Sequence, residues 1–496
     1  MSLPHRFYRV RRCVLASSLV ALTAFGGVTR AQINLPNLGE PAAASLSGQS
    51  ERELGEQTML RLKASGGYFD DPEITAYLNS LGRRLVAAGP SADQAFEFFA
   101  VNSREINAFA LPGGYVGVFT GLILLAETES ELASVLAHEI THVTQRHIAR
   151  QMAAQSGTAL TTMAALAAAI VAAAAGNGQI ASAAMASAMA GQLQSQINYT
   201  RESEREADRI GFQLLDRAGF DPAAMASFFR RLKQVSYSDE SPIHGYLMTH
   251  PLTQERIAEA EDLAHRHSRR AVADSLDFAL VRALLRSYRG TAEETANRAR
   301  VELEQASERD RAAARYGLAA ALLRKRDYAA ARELIATLDR ERVRHPMIEA
   351  LAGQILQQAG ELSSASQRYR AALADYPDHL QLVYDYPKTL LLDKQHAVAA
   401  EFVEARLARH GRTDITLRQI AAEAYAALGE RTRSHMHQGE YYAAQGEYRA
   451  AMEQFQIAIN ADDAGERQRQ VAEHRLKEVT EQHRKAVLER PDRDGR

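Results

Sequence analysis

Apolar positions along this chain recur mainly at helical spacing, with one short interruption by the alternation typical of strands. Residues 50–64 and 71–88 carry the helical period, and Asp71-Pro72-Glu73 offers a capping aspartate with proline at the first helical position. Residues 95–102, 108–111 and 115–120 then read as strands around the Pro112-Gly113-Gly114 turn. The helical period returns over 129–151, where Leu132, Val135, Leu136, Ile140 and Val143 share one face. Further helices are expected at 201–218, stopped by Gly219, at 221–234, opened by Asp221-Pro222, and at 252–265. Residues 50–268 therefore form an α+β domain with only a small sheet.

From about Ser275 the pattern becomes all-helical and repeats with a period of about 34 residues, that of tetratricopeptide repeats. One unit centres on Gly439, Tyr442, Gly446, Tyr448, Ala451, Phe455 and Ala458; a second has Gly353, Gly360, Ala365, Tyr369, Ala372 and Pro377. Tyr328 and Ala331 repeat the offsets of Leu362 and Ala365, and a fainter unit covers 380–411. Small residues recur where the two helices of a unit pack closely, and aromatics fill the gaps between units. The expectation is an all-α solenoid over 275–483, followed by a charged tail, 484–496, that frays.

The two ends of the first domain change the cellular picture. Arg6, Arg9, Arg11 and Arg12 precede an apolar run, 13–27, that is short for a membrane span, and Thr29-Arg30-Ala31 closes it with a small residue. Residues 1–31 read as a signal peptide cleaved before Gln32, with 32–49 as a linker rich in proline, glycine and small residues. Cleavage removes five arginines, taking the formal net charge from −2 to −7, and removes the only cysteine, Cys13. Without thiols the exported chain relies on its cores for stability. Its mildly acidic, well-mixed charge argues against nucleic acid as a partner, and the compartment expected is the periplasm.

The chemistry centres on His138-Glu139-Ile140-Thr141-His142, an H-E-x-x-H pattern inside the helix expected at 129–151. Residues i and i+4 of a helix share a face, so both imidazoles can reach one metal ion, and Glu139 can then take a proton from water activated there. A catalytic zinc needs three protein ligands and an open position. The third is expected from 201–218, which offers Glu202, Glu204, Glu206 and Asp208. His250 precedes a helix; His147 reads as a surface residue. Residues 153–190 stand apart in composition: 159–175 holds ten alanines and no charge, and Gly176-Asn177-Gly178 divides the segment. Each arm is about 17 residues or fewer, short of the ~20 that a span requires. A helical lid hairpin over the active-site cleft is expected, with peripheral membrane contact left open.

Thr200-Arg201-Glu202-Ser203-Glu204-Arg205-Glu206-Ala207-Asp208 resembles the S/T-R-x-x-E-x-x-A-D signature of the zinc metallopeptidases that include HtpX and the CAAX prenyl protease. That resemblance implies a zincin-like domain holding one zinc ion, with Glu204 as the third ligand beside His138 and His142. It makes Asp208 an acceptor that fixes a ligand imidazole, and leaves Glu202 and Glu206 on a solvated face. The stretch from Asn107 through Ala108, Phe109 and Ala110 to Gly114 resembles the same family's segment ahead of the motif helix. As an edge strand it would pair with an extended substrate backbone. His250-Pro251-Leu252-Thr253-Gln254-Glu255-Arg256 is similar to a T-H-P-x-x-x-x-R-I stretch in the soluble, periplasmic, repeat-bearing branch. Two roles are open for His250: stabilising the oxyanion during catalysis, or acting as a fourth zinc ligand that keeps the enzyme latent.

The resemblance implies a periplasmic zinc endopeptidase with a chaperone-like role. Its substrates would be unfolded or stalled outer-membrane proteins, with the repeats docking on the β-barrel assembly machinery. The alternative is a non-proteolytic repeat scaffold in which the metal is structural.

Overall fold

A computed structural model describes residues 47–154, 193–236, 243–267, 271–410 and 414–488. The expected signal peptide, the linker up to residue 46 and the lid hairpin from residue 155 lie outside the described residues.

Helices α1 (Gly48–Ala64) and α2 (Pro72–Ala87) precede a three-stranded sheet of β1 (Glu97–Val101), β2 (Ala108–Leu111) and β3 (Tyr115–Phe119). Asp71 caps α2 by accepting from the Glu73 and Ile74 amides, with Pro72 where no amide donor is needed. The sheet order is β1-β3-β2, with β3 parallel to β1 and antiparallel to β2. Strand alternation splits the side chains of β1 between two cores. Phe98 and Ala100 join the main core with Leu78, Leu81 and Leu85 of α2, whereas Phe99 and Val101 pack with Met59 and Leu62 of α1. β2 is left as an edge strand.

The short helix α3 (Thr120–Leu125) leads to α4 (Glu129–Thr144), buried without interruption from Glu129 to Thr141. The single helix expected over 129–151 is in fact two, because Arg146 adopts a left-handed conformation (φ 51°) and α5 (His147–Ala154) starts in a new direction. The Arg146 amide bonds back to the Val143 carbonyl, and its guanidinium holds Glu51 at 3.0 Å. Then come α6 (Leu193–Arg217), which begins ahead of the expected Arg201, α7 (Ala224–Val235), α8 (His244–Thr249) and α9 (Gln254–Arg266). Among these, α6 packs along α4. Gly211 lets it approach closely: a Cβ there would lie 3.2 Å from the His138 amide nitrogen and 3.3 Å from the Ala137 carbonyl.

Twelve further helices, α10 (Leu276–Ser287) to α21 (Glu466–Leu488), follow in succession, each packing on the next, consistent with a solenoid of the tetratricopeptide type. The ring of Tyr369 fills the space a side chain at Gly353 would need, and Phe455 does the same at Gly439. The last helix runs through Leu488, and 489–496 lie outside the described residues.

The helical region is not a separate body strung on a linker. One continuous apolar core runs from Ile74 and Tyr77 of α2 through Phe278, Val281 and Leu285 of α10 and on to Ile355. At its edge, His379 reaches the buried carboxylate of Glu73 at 2.9 Å, Tyr288 donates to Asp71, and Ser275 donates to Glu129. Burial raises the Glu73 pKa, partly offset by His379.

The α4–α6 contact sets the next chemistry, so Gly211→Leu should lower folding stability by about 1–3 kcal/mol through overpacking. Gly48→Ala, with nothing within 4 Å of the added atom, should stay within about 0.5 kcal/mol. Urea unfolding checks both; equal midpoints for the two variants would contradict the close approach.

Candidate metal centre

His138 and His142 lie one turn apart on α4, with ring centroids 4.6 Å from each other. Across the Gly211 contact, α6 presents Glu204 and Asp208, also one turn apart. His250 arrives from the end of α8, where its amide bonds to the Tyr246 carbonyl at 2.7 Å and Pro251 turns the chain away. Four donors converge. His138 Nε2 is 3.0 Å from His142 Nε2 and 3.3 Å from His250 Nδ1. Glu204 lies 3.1 Å from His250 Nδ1, 3.3 Å from His142 Nε2 and 3.4 Å from His138 Nε2. Donors at tetrahedral angles and about 2.0–2.1 Å from a zinc ion would stand about 3.3 Å apart, so the group fits one such ion.

Proton bookkeeping supports the same fit. His138 Nδ1 lies 2.9 Å from Asp208 Oδ1, so the neutral ring keeps its proton on that side, and Nε2 is the nitrogen that can take an ion once the ring's second proton has left. Asp208 also accepts two bonds from Arg256, at 2.7 and 2.8 Å. A third arm of Arg256 reaches Glu204 at 2.8 Å and the Pro251 carbonyl at 2.9 Å, tying the segment after His250 to both carboxylates. His142 Nδ1 is 2.8 Å from His147 Nδ1, and His147 Nε2 is 3.1 Å from Glu206.

Burial opposes ionisation of Glu204, yet the His250 and His138 rings hold its carboxyl well below the usual range. Burial likewise opposes ionisation of Asp208, and the Arg256 guanidinium, with the hydrogen bond from His138, brings its pKa down. Burial would lower His138 too, but Glu204 and Asp208 outweigh it and raise the ring to about 10. His142 is lowered, chiefly by burial. The centre thus calls for positive charge, and a divalent ion meets that demand in place of the His138 proton.

Glu139 is 1% exposed. Its Oε1 stands 3.3 Å from His250 Nε2 and has no hydrogen-bond partner among the described residues. Beside the cluster, β2 packs on α4. The Phe119 amide bonds to the Asn107 carbonyl, so in the antiparallel ladder Ala108 and Ala110 turn their backbone groups away from β3 while Phe109 faces it. The Asn107 side chain accepts the outward Ala108 amide at 2.9 Å, leaving Ala110 as the outward-facing pairing position.

Three residues were not assigned these contacts by sequence reasoning. His147, expected at the surface, is 4% exposed, because the turn at Arg146 folds it back against His142. Burial and the His142 ring push its pKa down. Glu206, expected to be solvated, pairs with His147 and with Arg150 at 3.0 Å. Glu202 is exposed, as expected. Arg256 stood within the His250 stretch, but spacing alone could not say which carboxylates it would meet.

Asp208→Asn should weaken zinc binding about 10–100-fold in competition with a chelating dye. Because an ion must displace the proton that His138 holds up to about pH 10, wild-type affinity should fall about tenfold per unit as pH drops from about 9 to 7. A flat profile would contradict the proton balance.

Residues 72–264 match the model of Peptidase family M48. The β-barrel assembly-enhancing protease of Escherichia coli (strain K12) is 33% identical over 435 residues, covering 86% of this chain and 88% of that protein. Its counterpart in Yersinia pestis is 32% identical over 313 residues, covering 63% of this chain and 64% of that protein. The mitochondrial metalloendopeptidase OMA1 of Schizosaccharomyces pombe is 30% identical over 188 residues, 38% of this chain and 52% of that protein. With a buried His-His-Glu-His donor group inside the matched region, the chain is a metalloendopeptidase that belongs to peptidase family M48, among the β-barrel assembly-enhancing proteases.

Proposed function

We propose that this chain is a zinc-dependent endopeptidase of the periplasm that cuts misassembled or stalled outer-membrane proteins and assists β-barrel assembly. The observation that carries the catalytic part is the buried, unpartnered Oε1 of Glu139 beside four converging donors. His138, His142 and Glu204 hold the ion. A zinc ion bound there supplies a Lewis acid that lowers the pKa of water and polarises a carbonyl. Glu139 takes the proton of the attacking water and returns it to the leaving nitrogen. Asp208 and Arg256 keep His138 and Glu204 aimed.

Ala110 on the edge strand pairs with the backbone of an extended substrate, which asks for an unfolded segment rather than a particular side chain. The name of the Escherichia coli relative, which this chain matches over most of its length, supports outer-membrane β-barrels as the substrate class and their assembly machinery as the partner of the repeats. Among the described residues no helix is long and apolar enough to cross a membrane.

For His250, the distances favour the fourth-donor role, since its Nδ1 lies as close to Glu204 and His138 as those donors lie to each other. A fourth donor closes the position that water would use, so the resting enzyme is latent and displacement of His250 opens it.

The test compares cleavage of an unfolded outer-membrane protein by zinc-loaded 32–496, Glu139→Gln and His250→Ala. Glu139→Gln should lose about 10²–10⁴ in kcat/KM while keeping zinc, and His250→Ala should cut faster than wild type. If His250→Ala is as inactive as Glu139→Gln, His250 serves the oxyanion instead. If no variant cuts while all support barrel assembly equally, the scaffold reading replaces the protease.

A further inference from the structure

His147 and Glu206 belong to none of the motif positions that define the centre, yet they form a chain leading to it, with His147 buried and Glu206 half-buried. Glu206 accepts from Arg150 at 3.0 Å and lies 3.1 Å from His147 Nε2. A carboxylate only accepts, so that nitrogen must carry a proton. A neutral imidazole has one N–H, which leaves His147 Nδ1 as a bare acceptor. Opposite it, at 2.8 Å, stands His142 Nδ1. Two nitrogens at that distance need one proton between them, and only His142 has one to give. His142 Nε2 is then obliged to present its lone pair to the cluster.

The contact is built by the helix break. On an unbroken helix His147 would point about 140° around the axis from His142. The left-handed Arg146, anchored on Glu51, breaks the helix, and the two rings stand at a centroid distance of 4.8 Å, nearly perpendicular at 78°.

We propose that His147, backed by Glu206 and Arg150, is a positioning residue that fixes the tautomer and orientation of His142 as a metal donor. The pairing is the counterpart, on the second imidazole, of what Asp208 and Arg256 do for His138. It rests on the reading of His142 as a zinc ligand. Each of the two α4 rings is thereby held by a carboxylate, directly at His138 and through an intervening imidazole at His142, and each carboxylate is paired with an arginine.

Zinc affinity of the full exported chain, measured by competition with a chromophoric chelator, tests this alongside the thermal midpoint of the metal-free protein. Wild type, His147→Leu, His147→Asn, Glu206→Gln and Glu202→Gln are compared. His147→Leu should weaken zinc about 10–100-fold. His147→Asn should recover most of the loss, because its carboxamide oxygen occupies the place of Nδ1 and accepts the same proton. Glu206→Gln should fall between them, and Glu202→Gln should bind as wild type. If Leu and Asn lose affinity equally, or neither loses any, the positioning role is overturned. A drop in thermal midpoint without loss of affinity would overturn it too, showing a packing role alone. If wild type itself fails to bind one zinc per chain, it is the underlying metal reading that falls.

Discussion

Two carboxylates on α6 face two imidazoles on α4 across a helix contact that is tight at Gly211. Moving α6 outward by the width of one methyl would carry Glu204 and Asp208 out of hydrogen-bond reach of His138. The helices themselves are ordinary amphipathic elements. Their separation is what turns a helix carrying two histidines into a donor set, and the α4 core residues Leu132, Val135, Leu136 and Ile140 are buried to maintain it.

The charge balance follows from that confrontation. Glu204 and Asp208 are ionised in a buried place, where unpaired charge is expensive, and the compensation is shared out. Arg256 covers one side of both carboxylates, while the cluster itself leaves room for one further positive charge. His250 belongs to this balance as well as to the donor geometry, since it touches Glu204 with one nitrogen and approaches Glu139 with the other. A group placed between Glu139 and the other three donors is well situated to decide whether either is available.

Much of this was legible beforehand because it depends on local pattern. The i, i+4 histidines, the capped start of α2, the three strands around Pro112-Gly113-Gly114 and the small–aromatic pairs of the repeats all express short-range periodicity. Spacing in 201–218 offered four acids, and only the family resemblance selected Glu204 among them; the geometry then put Glu204 and Asp208 inward and left Glu202 outside. What local pattern could not reveal was long-range or aperiodic. The break at Arg146 leaves the hydrophobic period nearly intact, so one helix was expected where two exist, and His147 was assigned to the wrong environment in consequence. The six-residue α3 and α8 are too short to show a period. Arg256 could not be matched to Asp208 without knowing how α9 lies against α6.

The unbroken apolar core between α2 and α10 bears on how such a protein can change over time. Helix α2 packs on the sheet and on the helical array at once, with Tyr77 against Phe278, so the catalytic half has no finished outer surface on that side. Cut free from the array, it would present an apolar face to water. A load applied to the array reaches the catalytic half through solid packing rather than through a tether.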